Sequence, residues 1–192
     1  MNVDDVLRFW FEELEARTWW NASDAVDLAI RERFAELHET LVRRPPAIGA
    51  LDARGHLAAV IVLDQLPRHL FRGDARAFAS DAQARVVANH AIDRRLDVAL
   101  PLPQRHFLYM PLMHREDLAT QQRALALFAQ LDGARALHAA RRHHDEIERF
   151  GRFPARNAAL GRESTDEERR YLGRATRDGR RAADATLDRD AT

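Results

Sequence analysis

The 192-residue chain contains neither lysine nor cysteine, and each absence removes a class of chemistry. All 30 basic residues are arginine, so the chain can form neither a lysine Schiff base nor a phosphate-binding loop that depends on lysine. Without cysteine there is no thiolate nucleophile, no disulfide and no zinc–thiolate site. These mechanism classes are excluded.

Long apolar runs and an excess of charge are also missing. The longest apolar run, residues 57–63, is far too short to cross a bilayer, and the N-terminal segment is acidic and amphipathic rather than basic and then apolar. Thirty acidic residues balance the thirty arginines, so the totals imply no broad basic face for nucleic acid. We therefore expect a cytoplasmic protein that binds neither membranes nor nucleic acid.

The apolar residues recur at the spacing of an α-helix, and no convincing strand alternation is found. Val26, Ile30, Phe34, Leu37 and Leu41 form one such stripe. Proline and glycine separate the periodic segments by short connections, which favours antiparallel packing of consecutive helices. The sequence predicts an all-α fold of about eight helices, at 3–15, 24–43, 55–66, 75–93, 103–113, 116–131, 134–150 and 165–175.

The end of the chain differs from the rest. Residues 177–192 lack a periodic apolar stripe and are predicted to form a mobile tail. The preceding residues, 1–176, are predicted to form a single all-α domain, because their length suits one domain with one core.

One segment, residues 149–165, is rich in arginine and unlike a helix face. Gly151 and Pro154 interrupt any helical period, while two phenylalanines in the segment favour burial. Four guanidiniums within this short stretch need acceptors, so we expect an ordered loop attached to the protein body. The polar residues that it offers are Arg149, Arg152, Arg156, Asn157 and Arg162.

A second segment, residues 60–74, carries polar groups next to Pro67. This proline should end or kink the helix that carries Asp64 and Gln65. If helical geometry resumes, Arg68 and Arg72 lie on one face, and Asp64 can pair with Arg68. Two interpretations stay open: a local ion pair beside a helix break, or one wall of an anion pocket.

Two of the nine histidines are candidate acid or base groups. His143 falls on the apolar stripe of the 134–150 helix, and it is either a satisfied core histidine or a site residue. His114 follows Pro111 at a predicted helix boundary, where side chains can converge on a pocket. The His144–Asp145 dipeptide is typical of metal-dependent phosphohydrolases, but the further ligands cannot be assigned, so no metal or other cofactor is predicted.

Several motifs, taken in order, resemble the bacterial family called domain of unknown function 924. They are VLRFWFEE, TWW, VIVLDQLPRHLFRG, AFASD, FLYMPLMHRE, HHDEIERFGRFPARN and GREST, and the resemblance that they carry extends over roughly residues 3–175. Family members are all-α and look like tetratricopeptide-type folds, so the resemblance implies antiparallel helix pairs in a right-handed, tetratricopeptide-like array. His143 matches the histidine of a family motif.

Three positions depart from the family pattern. The family usually has Asn at His69 and His at Ala155, and it often has Trp near Ala50 and Leu51. No repeat of about 34 residues is found, so the likeness is to the stacked helix pairs and not to a regular array. The resemblance implies a fold and no reaction.

The leading hypothesis is a pocket between the 64–72 helix break and the 149–162 loop that binds an anionic small molecule or a peptide carboxylate. One alternative is a hydrolase or lyase that uses His143 or His114 as acid or base. Another is a scaffold in which every arginine is already paired. The predicted ligand-binding residues are Asp64, Gln65, Arg68, Arg72, Arg149, Arg152, Arg156, Asn157 and Arg162.

Overall fold

The computed structural model describes residues 1–19, 23–131 and 133–174, and all regular secondary structure in these residues is helical. A further helical segment spans residues 166–174. The predicted all-α class is confirmed, whereas the predicted tail at 177–192 lies outside the described residues. The helices are α1 (Val3–Arg8), α2 (Asp24–Arg43), α3 (Ala53–Val60), α4 (Leu66–Leu70), α5 (Asp81–Asp93), α6 (Leu102–Met113), α7 (Leu118–Phe128) and α8 (Ala134–Phe150).

Local sequence signals set most helix ends. Ser23 accepts a hydrogen bond from the backbone N–H of Val26 and so caps α2. Gly151 ends α8 in the left-handed region at φ 68°, which glycine adopts without strain. Thr165 and Glu168 form a capping box, because Glu168 N–H donates to Thr165 Oγ1 (3.2 Å) and Thr165 N–H donates to Glu168 Oε2 (2.7 Å).

The helix predicted at 55–66 is longer than expected and contains a π-helical turn. It runs from α3 through a π-helical turn, Ile61–Gln65, into α4. Pro67 has no N–H to donate to the carbonyl of Leu63, and the side chain of Ser80 takes its place as donor (2.6 Å). The widened turn removes the clash that the proline ring would otherwise cause, so the helix continues past Pro67 instead of ending there.

The helix predicted at 75–93 is divided. A 3₁₀ turn, Ala75–Phe78, precedes α5, and Asp74 caps that turn by accepting from the N–H of Arg76 (2.8 Å). Ser80 stands before α5 without capping it, since its hydroxyl is used on Leu63. The chain thus bends beside the π-helical turn and begins α5 there.

The core surrounds the helix formed by α3 and α4. Residues 57–63 are buried on every side, which explains why this run is continuously apolar. The helix packs against α1, α2, α5 and α6, while α7 packs between α6 and α8. Trp10, Phe34, Phe107 and Phe128 fill the gaps, and each buried aromatic or aliphatic side chain contributes roughly 1.5–3 kcal/mol.

Consecutive helices α6, α7 and α8 pack on one another, as expected for short connections. This packing is compatible with a tetratricopeptide-like array, which remains a prediction, as does the single domain over 1–176. No helix of the described residues is long and apolar enough to span a membrane.

Candidate functional site

The π-helical turn places Asp64 in the interior, where its carboxylate is fully buried. Gln65 donates to one of its oxygens, and Arg68 pairs with the other at 3.5 Å. Arg68 also donates to the backbone carbonyl of Asp64. The predicted pairing of Asp64 with Arg68 is therefore present, and it belongs to a larger buried cluster.

His114 completes the centre of that cluster. It lies at the C-terminal end of α6 and is 8% exposed, and its Nδ1 is 2.9 Å from Oδ1 of Asp64. Its Nδ1 is also 3.0 Å from Nη2 of Arg68. A guanidinium can only donate and a carboxylate can only accept, so Nδ1 can satisfy one of the two.

The charges decide which of the two partners His114 takes. Burial would raise the pKa of Asp64, but Arg68 and His114 outweigh it and hold that pKa below its ordinary value. The ionised carboxylate is a strong acceptor, and Arg68 has other acceptors available. The neutral imidazole therefore carries its proton on Nδ1, donates it to Asp64, and keeps a lone pair on Nε2.

Burial and the nearby cations also keep His114 neutral. Loss of solvent lowers its pKa to about 4, with Arg68 acting in the same direction and Asp64 opposing both. At neutral pH the ring is thus uncharged and has a fixed tautomer. A histidine held by a buried carboxylate in this way can accept a hydrogen bond or a proton at Nε2.

Asp81, at the start of α5, joins two arginines from distant parts of the chain. Nη2 of Arg68 donates to its Oδ2 (3.2 Å), and Arg156 pairs with it at 3.4 Å. Arg156 also donates to the carbonyl of His114 (2.9 Å) and lies over the ring of Phe78. Burial nonetheless raises the pKa of Asp81. The 64–72 and 149–162 segments meet here, around Asp81 and His114.

A pocket of about 180 Å³ opens beside this cluster. Two arginines on its wall differ from the others. The side chain of Arg85 makes no hydrogen bond within the described part of the chain, and the side chain of Arg115 has only an exposed ion pair with Asp117 at 3.4 Å. Burial lowers the pKa of Arg85, with Arg115 adding to the effect. The lining consists of Phe78, Ala79, Asp81, Ala82, Arg85, His114, Arg115, Glu116 and Arg156.

The other arginines of the loop bind carboxylates, although the buried Nε of Arg162 makes no hydrogen bond with a described residue. Arg162 binds both oxygens of Glu116 (2.7 and 2.9 Å), and the backbone N–H of Phe153 donates to the same carboxylate (2.8 Å). Arg152 binds both oxygens of Glu168 (2.7 and 2.9 Å). These contacts attach the loop to the connection between α6 and α7 on one side and to the 166–174 helix on the other.

The remaining contacts of the loop are also with the 166–174 helix or with the residues just before it. Asn157 donates to Glu168 and to Ser164. Arg149 pairs with Glu167 at 2.6 Å, with both side chains about half exposed. Neither Asn157 nor Arg149 lines the pocket beside His114.

Arg72 does not line the pocket beside His114 either. It follows the end of α4 and binds Asp27 on α2, as does His69 at 2.8 Å. Arg68 and Arg72 therefore face different partners, although they are four residues apart. Ala155, where the family usually has histidine, is exposed.

His143 is close to the cluster but makes no hydrogen bond with its described residues. Its ring centroid lies 6.1 Å from that of His114, and it packs edge to face on Phe153. Its Nδ1 lies 2.8 Å from the carbonyl of Ala139 and therefore donates to it. Burial lowers the pKa of His143. Its contacts are those of a satisfied, largely buried histidine.

The His144–Asp145 dipeptide is on the outer side of α8. Together with Glu148 it presents three possible metal ligands whose atoms lie within 4.8 Å of one another, but two of the three residues are exposed. It is separate from the His114 cluster, and exposed groups of this kind are common without a metal.

Four charged residues of the pocket lining, Asp81, Arg85, Arg115 and Glu116, were not among the predicted site residues. Asp81 had a signal, since it ends the AFASD motif, but a carboxylate at a helix start is usually only a cap. Arg85 had none, because it is one arginine among thirty on an ordinary amphipathic helix. Their role depends on the approach of α5 to the end of α6, which no local pattern shows.

Comparison with known proteins agrees with this architecture. A family model described as "Bacterial protein of unknown function (DUF924)" matches residues 6–176. A solved structure of a protein of unknown function from Agrobacterium tumefaciens is 41% identical, with a TM-score of 0.83, over 88% of this chain and 96% of that chain. No curated protein matches the chain. The chain belongs to the bacterial domain of unknown function 924 family.

Proposed function

We propose that the pocket beside His114 binds a small anionic molecule. The observation that supports this most is Arg85, a partly buried arginine on the pocket wall whose guanidinium makes no hydrogen bond with a described residue, although Asp81 and Asp117 are its electrostatic neighbours. Burying a cation is costly unless a partner compensates it. A carboxylate or phosphate in the pocket would supply that partner, since both match the planar fork of arginine.

The proposed binding residues differ from those expected from the sequence. Arg85 and Arg115 replace Arg149, Arg152 and Arg162, whose guanidiniums already bind carboxylates. We place Arg68 and Asp64 behind the pocket, where they hold His114 and Asp81 in position. Arg156 lines the pocket, but Asp81 and the carbonyl of His114 already accept from it. The scaffold hypothesis thus applies to most of the arginine loop, and the anion hypothesis applies to the wall formed by α5.

The net charge around the pocket supports a ligand of low charge. Five arginines (Arg68, Arg85, Arg115, Arg156 and Arg162) surround four carboxylates (Asp64, Asp81, Glu116 and Asp117), as the contacts and electrostatic neighbours show. One added negative charge balances the set. The small volume favours a free small molecule or the terminal carboxylate of a peptide over a large anion.

A thermal-shift screen tests the proposal. Wild type is heated with phosphates, mono-, di- and tricarboxylates and short peptides, because a ligand of the native state raises its stability with concentration. We expect one class to stabilise wild type and Arg141→Ala, whose arginine is exposed and outside the pocket, but not Arg85→Ala. Equal shifts in all three proteins, or no shift in any of them, would overturn the proposal.

A second candidate function, a hydrolase or lyase, is supported by the hydrogen bond between His114 and the buried Asp64. The arrangement resembles a general base whose tautomer a carboxylate fixes. In it, His114 would take the proton and the neighbouring arginines would stabilise negative charge. Assays with small esters and hydroxy acids test it: turnover that survives His114→Asn unchanged would exclude His114 as the base.

A further inference from the structure

The pocket beside His114 offers one free acceptor among many donors, and this asymmetry restricts its ligand. Arginine side chains can only donate, so Arg85 and Arg115 require acceptors from the ligand. Both carboxylates of the lining are already paired. Oδ2 of Asp81 accepts from Arg68 and Arg156, and its buried Oδ1 makes no hydrogen bond but lies 3.1 Å from Nη2 of Arg68. Glu116 accepts from Arg162 and from the N–H of Phe153. A ligand that has only acceptors would therefore satisfy the arginines and nothing else.

His114 supplies the missing acceptor. Its hydrogen bonds with the described residues involve Nδ1 and the backbone, and Nδ1 points at the buried Asp64. Nε2 lies on the opposite edge of the ring, away from Asp64, and the residue lines the pocket. Because the proton is on Nδ1, Nε2 can accept a hydrogen bond but cannot donate one while the ring is neutral.

We propose that the ligand is a small hydroxycarboxylate, whose carboxylate binds Arg85 and whose hydroxyl donates to Nε2 of His114. This inference rests on the proposed anion binding and adds to it the second group that the ligand must carry. A site that binds a hydroxyl in this way rejects analogues that lack it, because the buried acceptor is then left without a partner. A keto acid fits no better, since its carbonyl places a second acceptor against Nε2.

Sets of ligands that differ only at one carbon test the inference. Calorimetric titration at pH 7 compares lactate with propanoate and pyruvate, and malate with succinate and oxaloacetate. We expect the hydroxy acid of at least one set to bind wild type about tenfold more tightly than its two analogues, as for one lost hydrogen bond to a buried group. Equal affinity within both sets would overturn the hydroxyl inference while leaving anion binding in place.

Variants assign the selectivity to His114. His114→Phe keeps a ring of similar size without the acceptor, and it should bind the hydroxy and deoxy acids equally. His138→Asn, at an exposed position outside this pocket, should keep the wild-type ratio. If His114→Phe unfolds, the wild-type ratios still decide the inference. Failure of every carboxylate to bind wild type would overturn the proposed anion binding as well.

Discussion

Two groups of arginines in this molecule differ in how far their charge is already compensated. In the arginine loop, residues 149–165, Arg152 and Arg162 each bind both oxygens of a carboxylate. On the pocket wall, Arg85 makes no hydrogen bond within the described residues, and Arg115 has one exposed partner. The loop has the higher density of arginine, yet the arginines with the fewest partners among the described residues lie on the wall. Charge density in a sequence therefore marks where arginines cluster, and the acceptors around them decide which are free.

The centre of the pocket should depend most strongly on Asp64. In Asp64→Ala the buried His114 and the partly buried Arg68 lose their carboxylate, and removal of one partner of a buried ionic pair costs roughly 3–5 kcal/mol. Urea unfolding measures the loss. Asp64→Asn, which keeps the shape and one acceptor, should lose less. Stability of Asp64→Ala close to that of wild type would show that the cluster does not hold the fold together.

The pH dependence of stability separates the buried centre from the exposed loop. The folded-state pKa of His114 is lowered to about 4 from an ordinary value of 6.5, so the unfolded state binds more protons between these values. Stability should therefore fall as the pH falls from 6.5 to 4, by roughly 3 kcal/mol for this group alone. Above pH 6.5 this contribution is fully present.

Comparing wild type with His114→Asn in urea at several pH values isolates the contribution of His114, because other buried histidines act in the same direction in both proteins. Between pH 6.5 and pH 4, the free energy of unfolding of the variant should fall by about 3 kcal/mol less than that of wild type. Parallel curves for the two proteins would contradict the assigned environment of His114.

Arg152 and Arg149 form a matched pair within the loop. Arg152 binds Glu168, whose side chain is 3% exposed, whereas Arg149 and Glu167 are both about half exposed. Arg152→Ala should lower the melting temperature by roughly 5 °C, and Arg149→Ala should change it little, since exposed pairs contribute little. Neither should change the shift produced by an anion. Loss of that shift in a folded Arg152→Ala would move the binding site to the loop.

Arg85 should show the opposite behaviour from Arg152. Removal of its side chain deletes no hydrogen bond with the described residues and removes a partly buried charge. The free energy of unfolding of Arg85→Ala should therefore lie within about 0.5 kcal/mol of the wild-type value or slightly above it. Thermal and urea unfolding without ligand measure this. A large loss of stability would mean that Arg85 has a structural role and is not reserved for a ligand.

The sequence was sufficient for most of the fold because local signals determine it. The helices predicted at 24–43 and 134–150 begin and end at those residues, where Ser23 caps one and Gly151 ends the other. The path of the chain around Pro67 was not predictable in this way. It depends on the hydroxyl of Ser80, which donates to the carbonyl of Leu63, 17 residues earlier in the chain. Pro67 leaves that carbonyl without a backbone donor.

The candidate site was predictable only in part. The sequence identified Asp64, Arg68, His114 and Arg156, and the structure brings these four together. It could not show that His114 meets Asp64 across 50 residues, or that Arg152 and Arg162 have their own carboxylates. Such pairings depend on tertiary packing, which spacing along the chain does not specify.

The state of His114 in the folded protein is the most direct test of the proposed site. Its imidazole nitrogens can be observed directly in a long-range ¹H–¹⁵N spectrum at pH 7, with the signal assigned by its absence from His114→Asn. We predict a neutral ring with the proton on Nδ1, and a change at Nε2 when a stabilising anion is added. A proton on Nε2, or a ring that titrates near pH 6.5, would contradict the account.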